Sequence, residues 1–246
     1  MKNILAWTHP AELFDKETAT LVKIQIDNSL ELGWSRDDIL LYTNFPYEYN
    51  GVKSTEVSSE HQFKRDKSSN KILVIRDLLH KGLLKGLCWY HDFDAYQNSP
   101  FTEEDVALGD KDFGITGYGY KPQCNGGSFF FTETTVDIFD YWCAKTQAIN
   151  RTRADEKSLT DMTRDGSLSK DRYKYLNITY NFGQRCPSLC WDQAEKPIKV
   201  LHFHPIYRYY RARYWNLDIF MYGKNPQGVP MMTNRLIKLF NKYNIK

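Results

Sequence analysis

Two aspartates at the end of an apolar run are the residues of this sequence best suited to chemistry. The run LLKGLCWYHDFDAYQ, residues 83–97, is rich in aromatic side chains and leads into Asp92-Phe93-Asp94. Successive side chains of a strand point to opposite faces, so an extended backbone places both carboxylates on one side. Two such carboxylates repel each other unless a cation lies between them, and their hard oxygens suit Mg²⁺ or Mn²⁺. The pattern predicts a divalent-cation site that carries a phosphorylated ligand.

The same spacing of two acids is also common on solvent-exposed turns, where it needs no function. The sequence holds such a pair at Asp110 and Asp112, which no apolar run precedes. The apolar run before Asp92 distinguishes the first pair and favours a binding role for it.

Two histidines on a late apolar segment could complete such a site. The segment KVLHFH, residues 199–204, is a predicted strand, and alternation places His202 and His204 on one face. An isolated histidine is more often a core or surface residue than a ligand. Two on one strand face, in a chain with an acid pair, favour contact with a metal ion or a phosphate.

Two polar segments between the acid pair and the histidines are further candidates. In Asn125-Gly126, glycine lets the backbone approach a ligand and the amide can pair with hydroxyls, although the same residues suit an ordinary turn. Asp155 and Glu156 stand at the predicted start of a helix, where acids are favoured in any protein. For both segments the residues alone leave a structural role open beside the functional one.

Strands and helices must alternate to position these residues. A strand at 3–7 ends at Thr8-His9-Pro10, the kind of strand end at which open α/β sheets bind ligands. A helix over 15–32, with a glycine after its end, leads to a strand at 38–43. We expect the polar stretch 47–69 to be a mobile loop with some helix. Further helices are predicted at 71–79, 134–147 and 234–243, and strands at 113–116, 128–132 and 199–203, with a Gly-rich turn between the first two of these strands.

Composition indicates one globular domain over residues 1–246. The chain has a mass of 29.0 kDa, is 41% hydrophobic and carries a net charge of +3, which does not identify a nucleic-acid binder. The first residues lack the apolar region of a signal peptide, and no apolar run approaches the ~20 residues that span a bilayer. We expect a cytoplasmic protein without a membrane span.

Taken in order, these segments resemble a GT-A glycosyltransferase, the Rossmann-like family of nucleotide-sugar enzymes. The resemblance runs over most of the chain and rests on short motifs: the strand ending in Asp-x-Asp, the Asn-x-Gly segment, the acidic helix start and the late histidine. It implies an α/β fold with a mainly parallel central sheet flanked by helices. It also implies an enzyme that moves a sugar from a nucleoside-diphosphate donor, with UDP as the expected nucleotide, to a hydroxyl acceptor.

The resemblance assigns roles to residues of this chain. Asp92 and Asp94 correspond to the metal-binding acids, and His202 to the histidine that completes a site for Mn²⁺ or Mg²⁺. Asp155 and Glu156 correspond to the acids beneath the sugar, of which one acts as general base in an inverting enzyme or contacts the donor sugar in a retaining one. The spacing does not decide between these roles: Asp155 aligns better with the family's sugar-binding aspartate, and Glu156 would be the base if the helix turned the other way. The donor-binding residues are expected to be Thr8, His9, Lys71, Asp92, Asn125, Gly126, Arg208 and Arg211.

The acceptor is the part of the expected reaction that the sequence determines least. Arginines alternate with aromatic residues in the tract 207–215, which suits a diphosphate, a stacked base or an amphipathic packing segment. The family often has a glycine and a lysine after the histidine, whereas this chain has Pro205 and then Arg208, Arg211 and Arg213. We expect a glycan or, as would suit a virus or phage, a hydroxylated base of modified DNA.

Three other classes of protein could use some of these residues. A phosphatase of the haloacid dehalogenase class has Asp-x-Asp on its first strand, but here a β-α-β unit precedes the pair. A magnesium-dependent nucleotidyltransferase would use the two acids for two-metal chemistry. A non-catalytic carbohydrate-binding protein would explain the aromatic content and leave the acid pair and the histidines without a role.

Overall fold

An eight-stranded sheet forms the centre of the computed structural model, which describes residues 1–64, 66–149, 151–183, 190–203 and 231–245. The strand order across this sheet is β3-β4-β2-β1-β5-β8-β7-β9, and β10 and β6 form a separate two-stranded sheet. The strands are β1 Lys2–Trp7, β2 Ile39–Thr43, β3 Glu48–Tyr49, β4 Val52–Glu56, β5 Cys88–His91, β6 Ala95–Gln97, β7 Phe113–Gly117, β8 Cys124–Phe131, β9 Tyr173–Tyr175 and β10 Val200–His202.

The helices that flank the sheet complete an α/β architecture. In the described part of the chain they are α1 Lys16–Glu31, α2 Asn70–His80, α3 Glu103–Val106, α4 Val136–Ile149, α5 Ala154–Arg164 and α6 Asn234–Lys242. Strand β1 pairs in parallel with β2 and β5, β2 with β4, and β7 with β9. Within the central sheet three pairs are antiparallel: β3 with β4, β5 with β8, and β7 with β8. The predicted class, a mainly parallel sheet flanked by helices, is confirmed.

Aromatic side chains fill the space between the sheet and helix α4. Phe129 and Phe131, two residues apart on β8, point to the same face and pack against Phe139 and Trp142 of that helix. Phe130 points to the other face and stacks at 6.2 Å on Trp89. Strand β8 is buried along its whole length, so its backbone is held rigidly.

Helix α1 supports the turn that follows β5 as well as covering the sheet. Asp15 caps the helix by accepting hydrogen bonds from the backbone N–H groups of Glu17 and Thr18. Farther along, the buried Gln25 donates its side-chain amide to the carbonyl oxygens of Phe93 at 2.8 Å and Ala95 at 3.0 Å. An amide side chain of α1 therefore holds the backbone between the two aspartates.

The prediction of a mobile loop over 47–69 was wrong for its first part. Residues Asn50 and Gly51, with φ values of 50° and 78°, form a two-residue turn between β3 and β4. Asn-Gly with both φ values positive is the commonest short hairpin turn, and this signal in the sequence was overlooked. Strand β4 then adds to the central sheet beside β2.

One further prediction about strands needs correction. The strand predicted at 128–132 begins earlier, at Cys124, so the glycine-rich segment lies inside β8, where small residues admit neighbouring side chains. The strand predicted at 199–203 is found as β10, Val200–His202, and it pairs antiparallel with β6 outside the central sheet. Among the described helices, none combines the length and the apolar composition needed to cross a membrane.

Candidate active site

The two aspartates lie on the turn that joins β5 to β6. The sequence predicted a strand here, but β5 ends at His91, and the backbone N–H of Asp92 donates to the carbonyl of Gly127 at 2.8 Å. The turn is closed by a 3.0 Å hydrogen bond from the N–H of Ala95 to the carbonyl of Asp92. The carboxylates of Asp92 and Asp94 reach the same place through this turn and not through strand alternation.

Pairing between β10 and β6 brings His202 to these acids. His202 is opposite Ala95 in the register, and its Nε2 lies 3.3 Å from Oδ1 of Asp94. Burial lowers the pKa of His202, but the charge and hydrogen bond of Asp94, together with the charges of Asp92 and Glu156, outweigh burial and hold that pKa above its usual value.

The donor atoms of this group fit a divalent cation. One ligand atom from each of Asp92, Asp94 and His202 can be chosen so that all lie within 4.8 Å of one another. Two carboxylate oxygens and one imidazole nitrogen are a set that Mn²⁺ accepts readily and Mg²⁺ can use. This group is therefore the candidate metal site.

Two neighbours fix the histidine ring in place. Asn181 Oδ1 lies 2.8 Å from His202 Nδ1, and the amide nitrogen of Asn181 donates to Thr116 Oγ1 at 2.9 Å. The ring lies directly over Gly127: a Cβ built on that glycine would be 2.0 Å from the ring atom Cε1. Only a residue without a side chain can stand beneath this histidine.

Lys71 bridges the metal-site acids and the acids of α5. Its Nζ donates to Asp92 Oδ1 at 2.9 Å and lies 3.3 Å from Asp155 Oδ2. Burial lowers the pKa of Lys71, but the two carboxylates outweigh burial and raise that pKa above its usual value. Lys71 therefore stays charged and offsets the repulsion between the two groups of acids.

The start of α5 holds Asp155 and Glu156 in a buried position. The loop before α2 caps this helix: Asp66 Oδ2 accepts from the N–H of Ala154 at 2.8 Å, and Ser69 Oγ accepts from the N–H of Asp155 at 3.3 Å. Burial, opposed by Lys71, raises the pKa of the Asp155 carboxyl to about 6. The acids are thus fixed by the same loop that leads to Lys71.

Glu156 has one carboxylate oxygen bound and the other without a partner. Tyr118 donates its hydroxyl to Oε1 of Glu156 at 2.6 Å. The residue is only 7% exposed, and its second oxygen, Oε2, is buried and makes no hydrogen bond. A buried carboxylate oxygen without a partner is costly, so Oε2 of Glu156 is an acceptor left unsatisfied within the acid segment.

Asn125 and Gly126 lie in β8 next to these acids. Asn125 Oδ1 accepts from the backbone N–H of Gly127 at 2.9 Å. A Cβ built on Gly126 would lie 3.0 Å from Oδ2 of Asp155, so glycine lets the strand and the helix approach closely. The predicted Asn-Gly segment and the predicted acid segment are brought together.

A cleft of about 310 Å³ opens beside the metal-site acids. Thr8 lines it and donates its hydroxyl to the carbonyl of His61 at 2.8 Å. His9 stacks on Trp7, with ring centroids 6.2 Å apart, and does not line the cleft. Lining residues from four segments meet here: Trp7, Thr8, Thr18, Asn70, Lys71, Tyr90, Asp92, Phe93 and Asp94.

Sequence reasoning missed three residues of the site. Tyr118, Asn181 and Gly127 contact candidate site residues directly. Gly127 could have been found, because it follows Asn125-Gly126 in the segment already selected. Tyr118 and Asn181 carry no local motif, and only the fold brings them close. Four predicted or considered residues lie outside the described residues: His204, Arg208, Arg211 and Arg213.

Solved structures with this arrangement of strands and helices are glycosyltransferases. The galactosyltransferase LgtC, solved in complex with donor and acceptor sugar analogues, aligns over 98% of this chain and 96% of its own, with a TM-score of 0.57 and 15% identity. A glycosyltransferase involved in the glycosylation of the major capsid of PBCV-1 aligns over 82% of this chain and 92% of its own, with a TM-score of 0.52 and 15% identity. The chain has the GT-A glycosyltransferase fold.

A third structure places the GT-A fold within a larger protein. The glycosyltransferase GlyE of Streptococcus pneumoniae TIGR4 aligns over 86% of this chain and 57% of its own, with a TM-score of 0.57 and 14% identity. No protein-family model matches the sequence, and no curated protein matches it significantly. The structural comparisons therefore show the fold of this chain.

Proposed function

We propose that this protein is a metal-dependent glycosyltransferase that moves a sugar from a nucleoside-diphosphate donor, with UDP as the expected nucleotide, to a hydroxyl acceptor. The observation that carries the proposal is the convergence of Asp92, Asp94 and His202 beside a cleft in a GT-A fold. A cation bound there supplies positive charge for the donor diphosphate.

The residues of the chain have separate roles in this proposal. Asp92, Asp94 and His202 hold the cation, and Mn²⁺ suits their mixed oxygen and nitrogen set best. The ammonium group of Lys71 lies between Asp92 and Asp155, and its positive charge offsets the repulsion between these two carboxylates. Thr8 lines the wall on which the donor lies.

Glu156 is the acid that we assign to the reacting end of the donor. Its unpartnered Oε2 can accept a hydrogen bond from a sugar or acceptor hydroxyl, whereas Asp155 is already paired with Lys71. In an inverting reaction Glu156 takes the proton of the acceptor hydroxyl, and in a retaining reaction it orients the sugar. Gly126 lies against both acids, since a Cβ built on it would be 3.0 Å from Asp155 Oδ2 and 3.6 Å from Glu156 Cγ.

A sugar hydroxyl is the acceptor that we propose. LgtC was solved with a donor and an acceptor sugar analogue, and the PBCV-1 relative takes part in capsid glycosylation. These functions belong to those proteins and support a glycan acceptor here. The arginines of the tract 207–215, which would serve DNA, lie outside the described residues.

The test is a screen of nucleotide sugars for donor hydrolysis in the presence of Mn²⁺. We expect turnover with at least one donor, and loss of that turnover in Asp94→Asn, whose fold should survive. Asp110→Asn is the matched control, because Asp110 belongs to an Asp-x-Asp pair of the same spacing and its side chain is 85% exposed. Absence of both turnover and thermal shift with every donor would refute the proposal, as would full activity of Asp94→Asn.

The same assay separates the rival functions. Phosphate released from a simple phosphoester would identify a phosphatase, and pyrophosphate released from a nucleoside triphosphate would identify a nucleotidyltransferase. Binding of a sugar without turnover would identify a non-catalytic protein. None of these classes accounts for the GT-A fold together with the three-residue metal site.

A further inference from the structure

We propose that Asn181 is a positioning residue that sets the proton and the orientation of His202 for cation binding. The inference rests on the metal site of the proposed function. It assigns a role to a residue that no sequence motif marks and that does not itself contact the cation.

The first step is the contact between the two side chains. Asn181 Oδ1 lies 2.8 Å from His202 Nδ1, a normal hydrogen-bond distance. Asn181 is 2% exposed and His202 is 1% exposed, so water does not compete for this bond. A carbonyl oxygen can only accept, and therefore Nδ1 carries the hydrogen.

The second step is the orientation of the Asn181 amide. Its nitrogen donates to Thr116 Oγ1 at 2.9 Å, and Thr116 lies fully buried on β7. In this orientation the NH₂ group faces the threonine and the amide oxygen faces the histidine. Thr116 of the central sheet is thus the second partner that holds the amide.

The third step is the rigidity of both partners. The N–H of Phe182 donates to the carbonyl of Val200, and the N–H of His202 donates to the carbonyl of Phe182, each at 2.8 Å. These bonds lock the segment that holds Asn181 to β10. Gly127 lies under the other side of the ring and leaves it no room to turn toward the strand.

The consequence concerns the second ring nitrogen. With one hydrogen fixed on Nδ1, the ring nitrogen left for a cation is Nε2, which lies 3.3 Å from Oδ1 of Asp94, and a cation bound there would take the place of the hydrogen that Nε2 shares with Asp94. A metal-binding histidine commonly donates its other N–H to a fixed acceptor, and this bond sets the ring for coordination. Asn181 supplies that acceptor without adding a fourth negative charge beside Asp92, Asp94 and Glu156.

The experiment compares Mn²⁺ affinity in the full chain, measured by electron paramagnetic resonance of unbound Mn²⁺. We expect Asn181→Leu, which has a similar volume but no acceptor, to bind Mn²⁺ about 10- to 100-fold more weakly. Asn181→Asp should bind at least as tightly as the wild type, because its carboxylate accepts the same Nδ1–H. Asn177→Ala is the control: Asn177 caps the same segment, and its hydrogen bonds go to Thr179, Gln193 and Glu195.

Two results would overturn the assignment while leaving the metal site intact. One is wild-type Mn²⁺ affinity in Asn181→Leu. The other is an Asn181→Asp variant as weak as Asn181→Leu, because that outcome means the amide NH₂ group, not the oxygen, faces the ring. Absence of Mn²⁺ binding by the wild type would instead refute the metal site itself, and this inference with it.

NMR spectroscopy of the wild type tests the same point and needs neither an affinity measurement nor a variant that folds. With Mg²⁺ bound, ¹⁵N NMR of the His202 side chain should show Nδ1 as the protonated nitrogen. Protonated Nε2 with unprotonated Nδ1 would refute the role of Asn181 even if none of the variants could be purified.

Discussion

Tyr118 donates its hydroxyl hydrogen to Oε1 of Glu156 at 2.6 Å, and both residues are buried. Burial, reinforced by the charge of Glu156, raises the pKa of Tyr118 well above its usual value, so the hydroxyl stays a donor at all ordinary pH values. One oxygen of the carboxylate is therefore held while the other, Oε2, makes no hydrogen bond.

Tyr118→Phe should release this carboxylate. The free energy of unfolding should fall by about 1–3 kcal/mol, because a buried acceptor loses its donor. Turnover should fall roughly tenfold or more, since a 1.4 kcal/mol loss in positioning is a factor of ten in rate. Urea denaturation and donor hydrolysis measure the two effects. Tyr141→Phe, at an exposed tyrosine, is the control and should change stability by less than about 0.5 kcal/mol.

Glu156→Gln and Asp155→Asn should have different kinetic effects. Glutamine keeps the shape of Glu156 and removes its charge, so a proton-accepting role predicts a fall in kcat of about 10²-fold or more with little change in KM. Asparagine at 155 loses the ion pair with Lys71 and should mainly raise the KM of the donor. NMR of the product anomer tells inversion from retention. Unchanged turnover in both variants would make the segment structural.

Lys71→Met should destabilise the protein strongly. It leaves Asp155 buried beside Asp92 without their shared cation, and breaking a buried ion pair from one side costs about 3–5 kcal/mol. Lys81→Met, at the end of the same helix, removes an exposed pair with Asp77 and should cost less than about 1 kcal/mol. Equal losses for the two variants in thermal or urea unfolding would contradict a bridging role.

Gly127→Ala should displace the His202 ring. The added methyl group would lie 2.0 Å from Cε1, far inside van der Waals contact, and neither the strand nor the ring can yield without a shift. We expect Mn²⁺ affinity to fall at least tenfold while circular dichroism still shows a folded protein. Gly117→Ala is the matched control, because its nearest neighbour would be at 3.6 Å. Equal affinity in the two variants would show that the ring is not confined by Gly127.

Asp27 should make stability depend on pH through its contacts with α6. Its pKa is raised by burial and lowered more strongly by hydrogen bonds from Lys242 at 2.6 Å, Tyr243 at 2.7 Å and Asn50 at 3.0 Å, so the net shift is downward. A lowered pKa in the folded state stabilises the protein above the unfolded value of about 3.9, and this contribution is lost as the pH falls through the folded value.

Asp27→Asn measures this contribution. At pH 7 the wild type should be more stable than Asp27→Asn by about 1–3 kcal/mol. The charged carboxylate accepts stronger hydrogen bonds than the neutral amide that replaces it in the variant. The difference should shrink as the pH falls below about 4. Urea denaturation of both proteins between pH 3 and pH 7 gives the two curves. Parallel curves over this range would mean that Asp27 has an ordinary pKa in the folded state.

The sequence predicted those features that depend on local pattern. The β-α-β opening, the acid pair after an apolar run and the late histidine follow from periodicity, strand ends and residue type, and each is found close to its predicted place. The resemblance to GT-A enzymes joined these separate signals into one site.

Features that depend on long-range packing could not be predicted from local patterns in the sequence. Strand alternation predicted that Asp92 and Asp94 lie on one side. They do, but a turn held by Gln25 of α1, and not a strand, brings them together. Nothing near Asn181 in the sequence indicates that β10 would lie beside it. The hairpin at Asn50-Gly51 is a different case, since its turn signal was local and was missed.

The placement of β10 has a consequence for the synthesis of this protein on the ribosome. All eight strands of the central sheet precede residue 176, so they leave the exit tunnel before the residues of β10 do. Until β10 emerges and pairs with β6, a nascent chain holds the two acids but lacks the imidazole. If these residues hold a cation as proposed, the site is completed late, after the strands of the central sheet have left the tunnel.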